Sequence, residues 1–148
     1  ARAAGARVVA VDPDAARRAL ALELGADSAH GPKDAPAGFD VALELSGAPA
    51  AVERAVRDAA IGGTVVLAGS VFDAPPAAFS AESVVRRLLT IRGVHNYRPE
   101  HLLIAVRFLE RADADLFRGL VGETVDFADA PGALVGPARR GARIGVRP

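Results

Sequence analysis

The run Arg7-Val8-Val9-Ala10-Val11-Asp12 decides the fold class of this chain. Its β-branched residues predict a short buried strand. The acidic residue that closes it stands just before a helix-forming stretch that begins near Pro13. A carboxylate at the C-terminal end of such a strand is typical of α/β domains that bind nucleotides, because it accepts hydrogen bonds from both ribose hydroxyls and repels a 2′-phosphate. The alternative is that Asp12 only caps a helix or a turn.

Outward from this run, apolar strands alternate with helical stretches, which is the pattern of an α/β fold with a parallel sheet. We predict strands at 7–11, 27–29, 39–45, 64–68, 89–94 and 123–127 and near Ile144, helices at 13–24, 49–60, 80–88, 99–111 and 129–134, and a turn at Gly62-Gly63. Neither a linker nor an internal repeat interrupts the pattern, so we expect one domain over residues 1–148.

The start of the chain departs from the usual nucleotide-binding pattern. In a Rossmann-type, doubly wound sheet, a first strand and a G-x-G-x-x-G turn precede the acidic residue by about 20 residues. This chain begins Ala1-Arg2-Ala3-Ala4-Gly5-Ala6, without Met and without that turn. We therefore expect a truncated Rossmann-type sheet that lacks its first strand and glycine-rich turn, cut from inside a larger protein. The strands at 7–11 and 39–45 are then each left with an unpaired edge.

Composition excludes several classes of function. The chain has 18 basic and 18 acidic residues and no net charge, whereas a nucleic-acid surface needs a basic patch. No apolar run approaches the roughly 20 residues that a membrane span requires. There is no cysteine, so there is neither a disulfide framework nor a thiolate metal site. These observations predict a cytoplasmic protein with no nucleic-acid or membrane partner.

Small or polar residues follow three of the predicted strands. Gly47 and Gly69 stand just past the strands at 39–45 and 64–68, and the run His95-Asn96-Tyr97 follows the strand at 89–94. Ligands of such sheets bind beyond the carboxyl ends of the strands, so each position is a candidate contact. Plain turns explain the two glycines equally well, and a polar loop before the Pro99 helix explains the histidine run. Arg17, five residues after Asp12, is either a ribose or phosphate contact or a solvated helix residue.

Taken together, the motifs resemble the cofactor-binding half of medium-chain, zinc-dependent alcohol dehydrogenases. The resemblance covers nearly the whole chain. The matching segments are Ala3-Ala4-Gly5-Ala6, Val8-Val9-Ala10-Val11-Asp12, Ala21-Leu22-Glu23-Leu24-Gly25-Ala26-Asp27, Phe39-Asp40-Val41-Ala42-Leu43-Glu44-Leu45-Ser46-Gly47, Gly62-Gly63-Thr64-Val65-Val66-Leu67-Ala68-Gly69, Leu89-Thr90-Ile91-Arg92-Gly93 and Gly141-Ala142-Arg143.

The resemblance implies a set of cofactor contacts and NAD as the cofactor. On the adenosine side, the implied contacts are Asp12 with the ribose, Arg17 beside it, and Ser46 and Gly47 along the adenine and ribose. On the nicotinamide side, Ala68, Gly69 and Ser70 would lie under the ring, and backbone groups of Val94, His95 and Asn96 would contact the carboxamide. Arg143 would contact the pyrophosphate. The zinc and the proton relay of that family lie mainly in a separate N-terminal domain that this chain lacks. The chain is therefore expected to hold neither catalytic nor metal-binding residues.

The function implied is the cofactor-binding portion of an NAD-dependent, zinc-type alcohol dehydrogenase, which moves a hydride between a small-molecule alcohol and nicotinamide. The portion alone is expected to be inactive. One alternative is an NADPH-dependent quinone or enoyl reductase of the same superfamily, which Asp12 argues against. Another is a non-catalytic nucleotide-binding module. The strand at 89–94 carries Leu89 and Ile91 on an exposed edge, which predicts a homo-oligomer formed by edge pairing, as in the resembled family.

Overall fold

A computed structural model of the chain describes residues 1–113, 117, 120–135 and 143–148. It divides into two compact units, Ala1–Ala35 with Pro99–Pro148, and Pro36–Arg98. The elements in chain order are β1 (Val9–Val11), α1 (Ala15–Glu23), β2 (Ser28–His30), β3 (Phe39–Glu44), α2 (Pro49–Asp58), β4 (Ala59–Leu67), α3 (Ala81–Arg86), β5 (Thr90–Gly93), α4 (Pro99–Arg111), β6 (Val121–Asp126), α5 (Ala130–Val135) and β7 (Arg143–Arg147). The expectation from the sequence that residues 1–148 form one domain stays a prediction.

The first unit begins with a parallel strand–helix–strand motif. β1 and β2 pair in parallel, with Val9 opposite Ser28. The intervening α1 starts where it does because the Asp14 carboxylate caps it, accepting the N–H of Ala16 at 2.7 Å. It ends before Gly25, whose φ of 91° is the left-handed conformation that stops a helix.

The second unit is a three-stranded parallel sheet with β4 in the middle. β4 pairs with β3 on one edge and with β5 on the other. Val65 on β4 is fully buried and packs with Val56 of α2 and with Ala59. Val84 of α3 packs against the same cluster, so both helices help to form the core of this unit.

The fold class predicted from the sequence is confirmed. The four ladders among the described residues are parallel, and a helix follows most of the strands. In the doubly wound order 3-2-1-4-5-6, strand 3 pairs with strand 2, and strands 4, 5 and 6 pair in series. The β2–β1 ladder has the first of these pairings, and the β3–β4–β5 sheet has the second. Within the described ranges, neither β1 nor β3 pairs with a second strand on its other edge. The lack of a first strand and a glycine-rich turn stays a prediction.

The remainder of the first unit contains α4, α5 and a parallel ladder between β6 and β7. α4 covers Pro99–Arg111, the range that the sequence predicts. In the part of the chain that the structure describes, no helix is both long enough and apolar enough to cross a membrane.

Two details of the sequence prediction are wrong. Gly62-Gly63 is not a turn before a strand, because β4 already begins at Ala59. The register against β3 shifts over this stretch, and Gly62 has a φ of 76°, so the glycine pair is an irregularity inside the strand. In addition, the first helix begins at Ala15 rather than near Pro13, because Asp14 is the residue whose side chain caps it.

We predict that Val65→Ala lowers the free energy of unfolding by about 2–3 kcal/mol, because it removes two buried methyl groups and leaves a cavity. Chemical denaturation of the 148-residue chain measures the effect. Val41→Ala is the matched control on the neighbouring strand, since Val41 is 57% exposed, and it should cost under about 1 kcal/mol. Equal losses would contradict this assignment of the core.

Candidate functional site

The carboxyl ends of the three strands of the second unit form one edge. Parallel pairing sets Glu44 opposite Leu67, and Leu67 opposite Gly93. The residues that follow these ends are the ones the sequence predicts as cofactor contacts. They are Ser46 and Gly47 after β3, Ala68, Gly69 and Ser70 after β4, and Val94, His95 and Asn96 after β5. The structure therefore brings eight predicted site residues to one edge of one sheet.

The turns after β3 and β4 are in direct backbone contact. The backbone carbonyl of Glu44 accepts the N–H of Ala68 at 2.9 Å and that of Gly69 at 3.0 Å. A Cβ added to Gly47 would lie 2.5 Å from the carbonyl oxygen of Gly69, and one added to Gly69 would lie 2.6 Å from the amide nitrogen of Gly47. Both glycines are therefore required by the approach of the two turns to each other. This reason for glycine is independent of any ligand.

A buried carboxylate lies at the same place, and the sequence reasoning did not include it among the site residues. Glu44 is only 4% exposed to solvent. Its Oε1 accepts the N–H of Ser46 at 2.7 Å, the hydroxyl of Ser46 at 2.5 Å and the N–H of Gly47 at 3.0 Å. The signal in the sequence is an acidic residue at the last position of an apolar strand, directly before Ser and Gly.

The turn after β5 presents polar side chains. The N–H of Val94 donates to the carbonyl of Leu67 at 2.9 Å, which continues the ladder past the end of β5. Asn96 has a φ of 56°, a conformation that asparagine tolerates better than most residues. His95 and Asn96 are exposed, so their side chains are accessible from solvent at this edge.

The first unit carries the remaining predicted contacts. Asp12 directly follows β1, and its Oδ1 accepts the N–H of Asp14 at 2.8 Å. None of the described residues donates a hydrogen bond to its Oδ2. One carboxylate oxygen of this half-buried residue is thus engaged in the turn and the other is free to accept a hydrogen bond from a ligand.

Arg18, the neighbour of Arg17, holds the Asp12 turn, and the predicted contact of Arg17 with the ribose or a phosphate stays a prediction. The Arg18 guanidinium donates to the carbonyls of Asp12 at 2.8 Å and Pro13 at 2.9 Å. Arg17 is exposed in the first turn of α1. Arg143 is the first residue of β7, and its N–H donates to the carbonyl of Leu120 at 2.8 Å.

The described residues of this chain do not fit a zinc site. The sequence has no cysteine and three histidines. In residues 1–113, 117, 120–135 and 143–148, no three His, Asp or Glu side chains cluster as metal ligands do. No metal-dependent step is therefore assigned to residues of this chain.

The fold and the strand-end edge define a Rossmann-type α/β protein of the class that binds nucleotides beyond its parallel strands. Residues 1–111 match the family model described as zinc-binding dehydrogenase. The chain belongs to this family, which confirms the resemblance seen in the sequence.

Two curated relatives are similar over the same part of the chain. L-threonine 3-dehydrogenase of Saccharopolyspora erythraea is 37% identical over 109 residues, which is 64% of this chain and 31% of that protein. Geraniol dehydrogenase of Castellaniella defragrans is 36% identical over 106 residues, which is 64% of this chain and 28% of that protein. The match thus spans about a third of the length of each relative.

Solved structures of dehydrogenases share the fold. The 2R,3R-butanediol dehydrogenase of Bacillus subtilis matches with a TM-score of 0.79 at 27% identity, over 99% of this chain and 45% of that one. A protein of Sinorhizobium meliloti 1021 described as a zinc-binding dehydrogenase and bound to NADP matches at 0.82 with 23% identity, over 99% of this chain and 47% of that one. A protein of E. coli CFT073 described as a short chain alcohol dehydrogenase and complexed with NADH matches with a TM-score of 0.74 at 19% identity, over 86% of this chain and 40% of that one.

We predict that Gly69→Ala destabilises the chain by roughly 1–3 kcal/mol or more, because its Cβ would overlap backbone atoms of the β3 turn that cannot move aside. Thermal or chemical unfolding measures the loss. Gly93→Ala is the matched control at the end of β5, where an added Cβ meets nothing within 4 Å, and it should stay within about 0.5 kcal/mol of the wild type. A tolerated Gly69→Ala would disprove the close approach of the two turns.

Proposed function

We propose that this chain is the cofactor-holding portion of an NAD-dependent zinc-binding dehydrogenase that oxidises a small-molecule alcohol in the cytoplasm. In this reaction the alcohol carbon loses a hydride to the nicotinamide ring and its hydroxyl loses a proton. The metal that polarises the alcohol oxygen is proposed to be held by a part of the protein outside these 148 residues. The chain's own task is to bind and orient the dinucleotide.

The observation that carries the proposal is the Asp12 carboxylate at the end of β1. One of its oxygens is held by the N–H of Asp14, which fixes the orientation of the group. The other oxygen accepts no hydrogen bond from the described residues and suits a ribose hydroxyl. A fixed carboxylate at the carboxyl end of a strand in a Rossmann-type fold favours the free 2′-hydroxyl of NAD over the 2′-phosphate of NADP.

The substrate class follows from the relatives. Their names refer to L-threonine, geraniol and butanediol, which share an alcohol group on an otherwise different skeleton. We propose a small alcohol for this protein on that ground. The competing function is an NADPH-dependent reductase of the same superfamily, for which the NADP-bound solved structure is the specific support.

Titrating the chain with NAD and NADP tests the proposal and separates it from the competing function. We expect a lower Kd for NAD. Asp12→Ser should reduce the ratio of the Kd for NADP to the Kd for NAD by about tenfold, because it removes the charge that faces the 2′-phosphate. Fluorescence or calorimetric titration measures both constants.

Asp40→Ser is the control for this experiment. It removes the same charge from an exposed residue of β3 that is not at a strand's carboxyl end, so the ratio should remain that of the wild type. Tighter binding of NADP by the wild type would favour the reductase, and binding of neither nucleotide would refute cofactor binding by this chain.

We also propose that β5 forms a homodimer by pairing with its copy. β5 lies at the edge of its sheet, and no second strand within the described ranges pairs with it. The N–H groups of successive residues point to opposite sides of a strand. Since the N–H of Val94 points to β4, the N–H of Ile91 points to the open side. That side is able to accept another strand.

Ile91→Pro removes an N–H from the open side and also the packing of the Ile91 side chain against the buried cluster. We therefore expect a less stable monomer that keeps its ladder to β4, since proline is tolerated on edge strands. Light scattering coupled to gel filtration measures the mass, and circular dichroism checks folding. Arg92→Pro is the paired variant, since it removes an N–H that faces β4 and should unfold the sheet. A dimer that survives Ile91→Pro would show that the contact lies elsewhere.

A further inference from the structure

The turn after β3 is held by a charged group that the proposed function does not use. Glu44 is more than nine-tenths buried, and burying a carboxylate is costly unless donors surround it. The donors are supplied by the next residues of the chain. Ser46 offers its N–H and its hydroxyl, and Gly47 offers its N–H, which lies 3.0 Å from Oε1 and 3.1 Å from Oε2.

These contacts determine what Ser46 can do. Its only hydroxyl proton is donated to Glu44 at 2.5 Å, and the same oxygen accepts the N–H of Ala48 at 3.2 Å. A serine hydroxyl has one proton to donate. Ser46 therefore has no donor left for a ligand, although it lies at the edge where the cofactor is proposed to bind.

The same contacts determine the position of the turn after β4. Gly47 and Gly69 approach so closely that a Cβ on either would overlap the other's backbone. The carbonyl of Glu44 in turn holds the N–H groups of Ala68 and Gly69. Glu44 thus fixes one turn through its side chain and the other through its backbone.

We propose that Glu44 is a positioning residue for the dinucleotide: its carboxylate sets the shape of the two turns, and it acts through Ser46 and Gly47 without touching the ligand. The proposal rests on the proposed cofactor binding. It assigns to Ser46 a shaping role in place of a hydrogen bond to the cofactor. It also predicts that nucleotide binding weakens when one carboxylate oxygen of Glu44 is replaced by an amide nitrogen.

Glu44→Gln is the sharpest test. It keeps the size of the side chain but places an amide N–H₂ where a carboxylate oxygen accepts, and that group is left facing either the Gly47 N–H or the Ser46 donors. We expect the Kd for NAD to rise by about tenfold, as for the loss of one charge-assisted hydrogen bond. Amide hydrogen exchange of the folded variant should speed up at Ser46, Gly47 and Gly69.

Asp58→Asn is the matched control. Asp58 is the other buried acidic residue of this unit, 7% exposed and paired with Arg54 at 2.8 Å, but it lies at the end of α2. It should lower stability while leaving the Kd for NAD and the exchange at Gly47 unchanged. Comparing the two variants at equal folded fraction separates positioning from general destabilisation.

The outcomes are distinct. A Glu44→Gln variant that binds NAD as tightly as the wild type overturns the positioning role and leaves the proposed function intact. An equal rise in Kd for Asp58→Asn also overturns it, since loss of stability would then explain both. A wild type that binds no NAD refutes the proposed function, and with it the ligand-directed role of Glu44. Exchange at Gly47 then decides by itself whether the carboxylate holds the turn.

Discussion

The hydrogen bonds from Ala68 and Gly69 to the backbone carbonyl of Glu44 are the constraint on which the candidate site of the second unit depends. Parallel pairing brings the ends of β3 and β4 to one edge, but it does not by itself determine the course of the chain beyond them. These two bonds hold the turns against each other. Since the ladder between β4 and β5 continues through Val94, the third turn is placed relative to the same pair.

Much of the fold was predictable because its signals are local. Alternating apolar runs and helix caps identify the strands and helices. The helix predicted at 80–88, for example, is found as α3, and Ser80 caps it by accepting the N–H of Ser83 at 3.2 Å. The irregular stretch at Gly62-Gly63 was not predictable in the same way. A glycine pair marks a break in regular backbone, but only pairing with β3 decides whether the break lies before the strand or within it.

The site was predictable in position and less so in mechanism. The rule that ligands bind beyond parallel strands led to Gly47, Gly69 and His95, and the structure brings these to one edge. In the sequence, contact with a ligand and a plain turn explain the two glycines equally well, whereas the structure shows close approach of two turns. The role of Glu44 was missed because a charge at a strand end looks exposed in a sequence, and its burial depends on donors that the following turn supplies.

The core of the second unit is made of small side chains, and polar contacts supplement it. Val56, Ala59 and Val65 form the buried cluster. The Arg87 guanidinium donates to the carbonyls of Val56, at 3.1 Å, and Ala59, at the C-terminal end of α2. A cation at that helix end also complements the helix dipole. The residue after α3 is thereby joined to α2 by directional bonds as well as by apolar packing.

The mutual contact of Gly47 and Gly69 has a consequence for how this sequence can change over evolutionary time. Where two side chains pack together, a larger residue on one side can be matched by a smaller one on the other. Here each glycine faces backbone atoms of the opposite turn, and no substitution can make those backbone atoms smaller. No second substitution can compensate for a first one, so we expect the two positions to remain glycine together or to be lost only with a rebuilding of both turns.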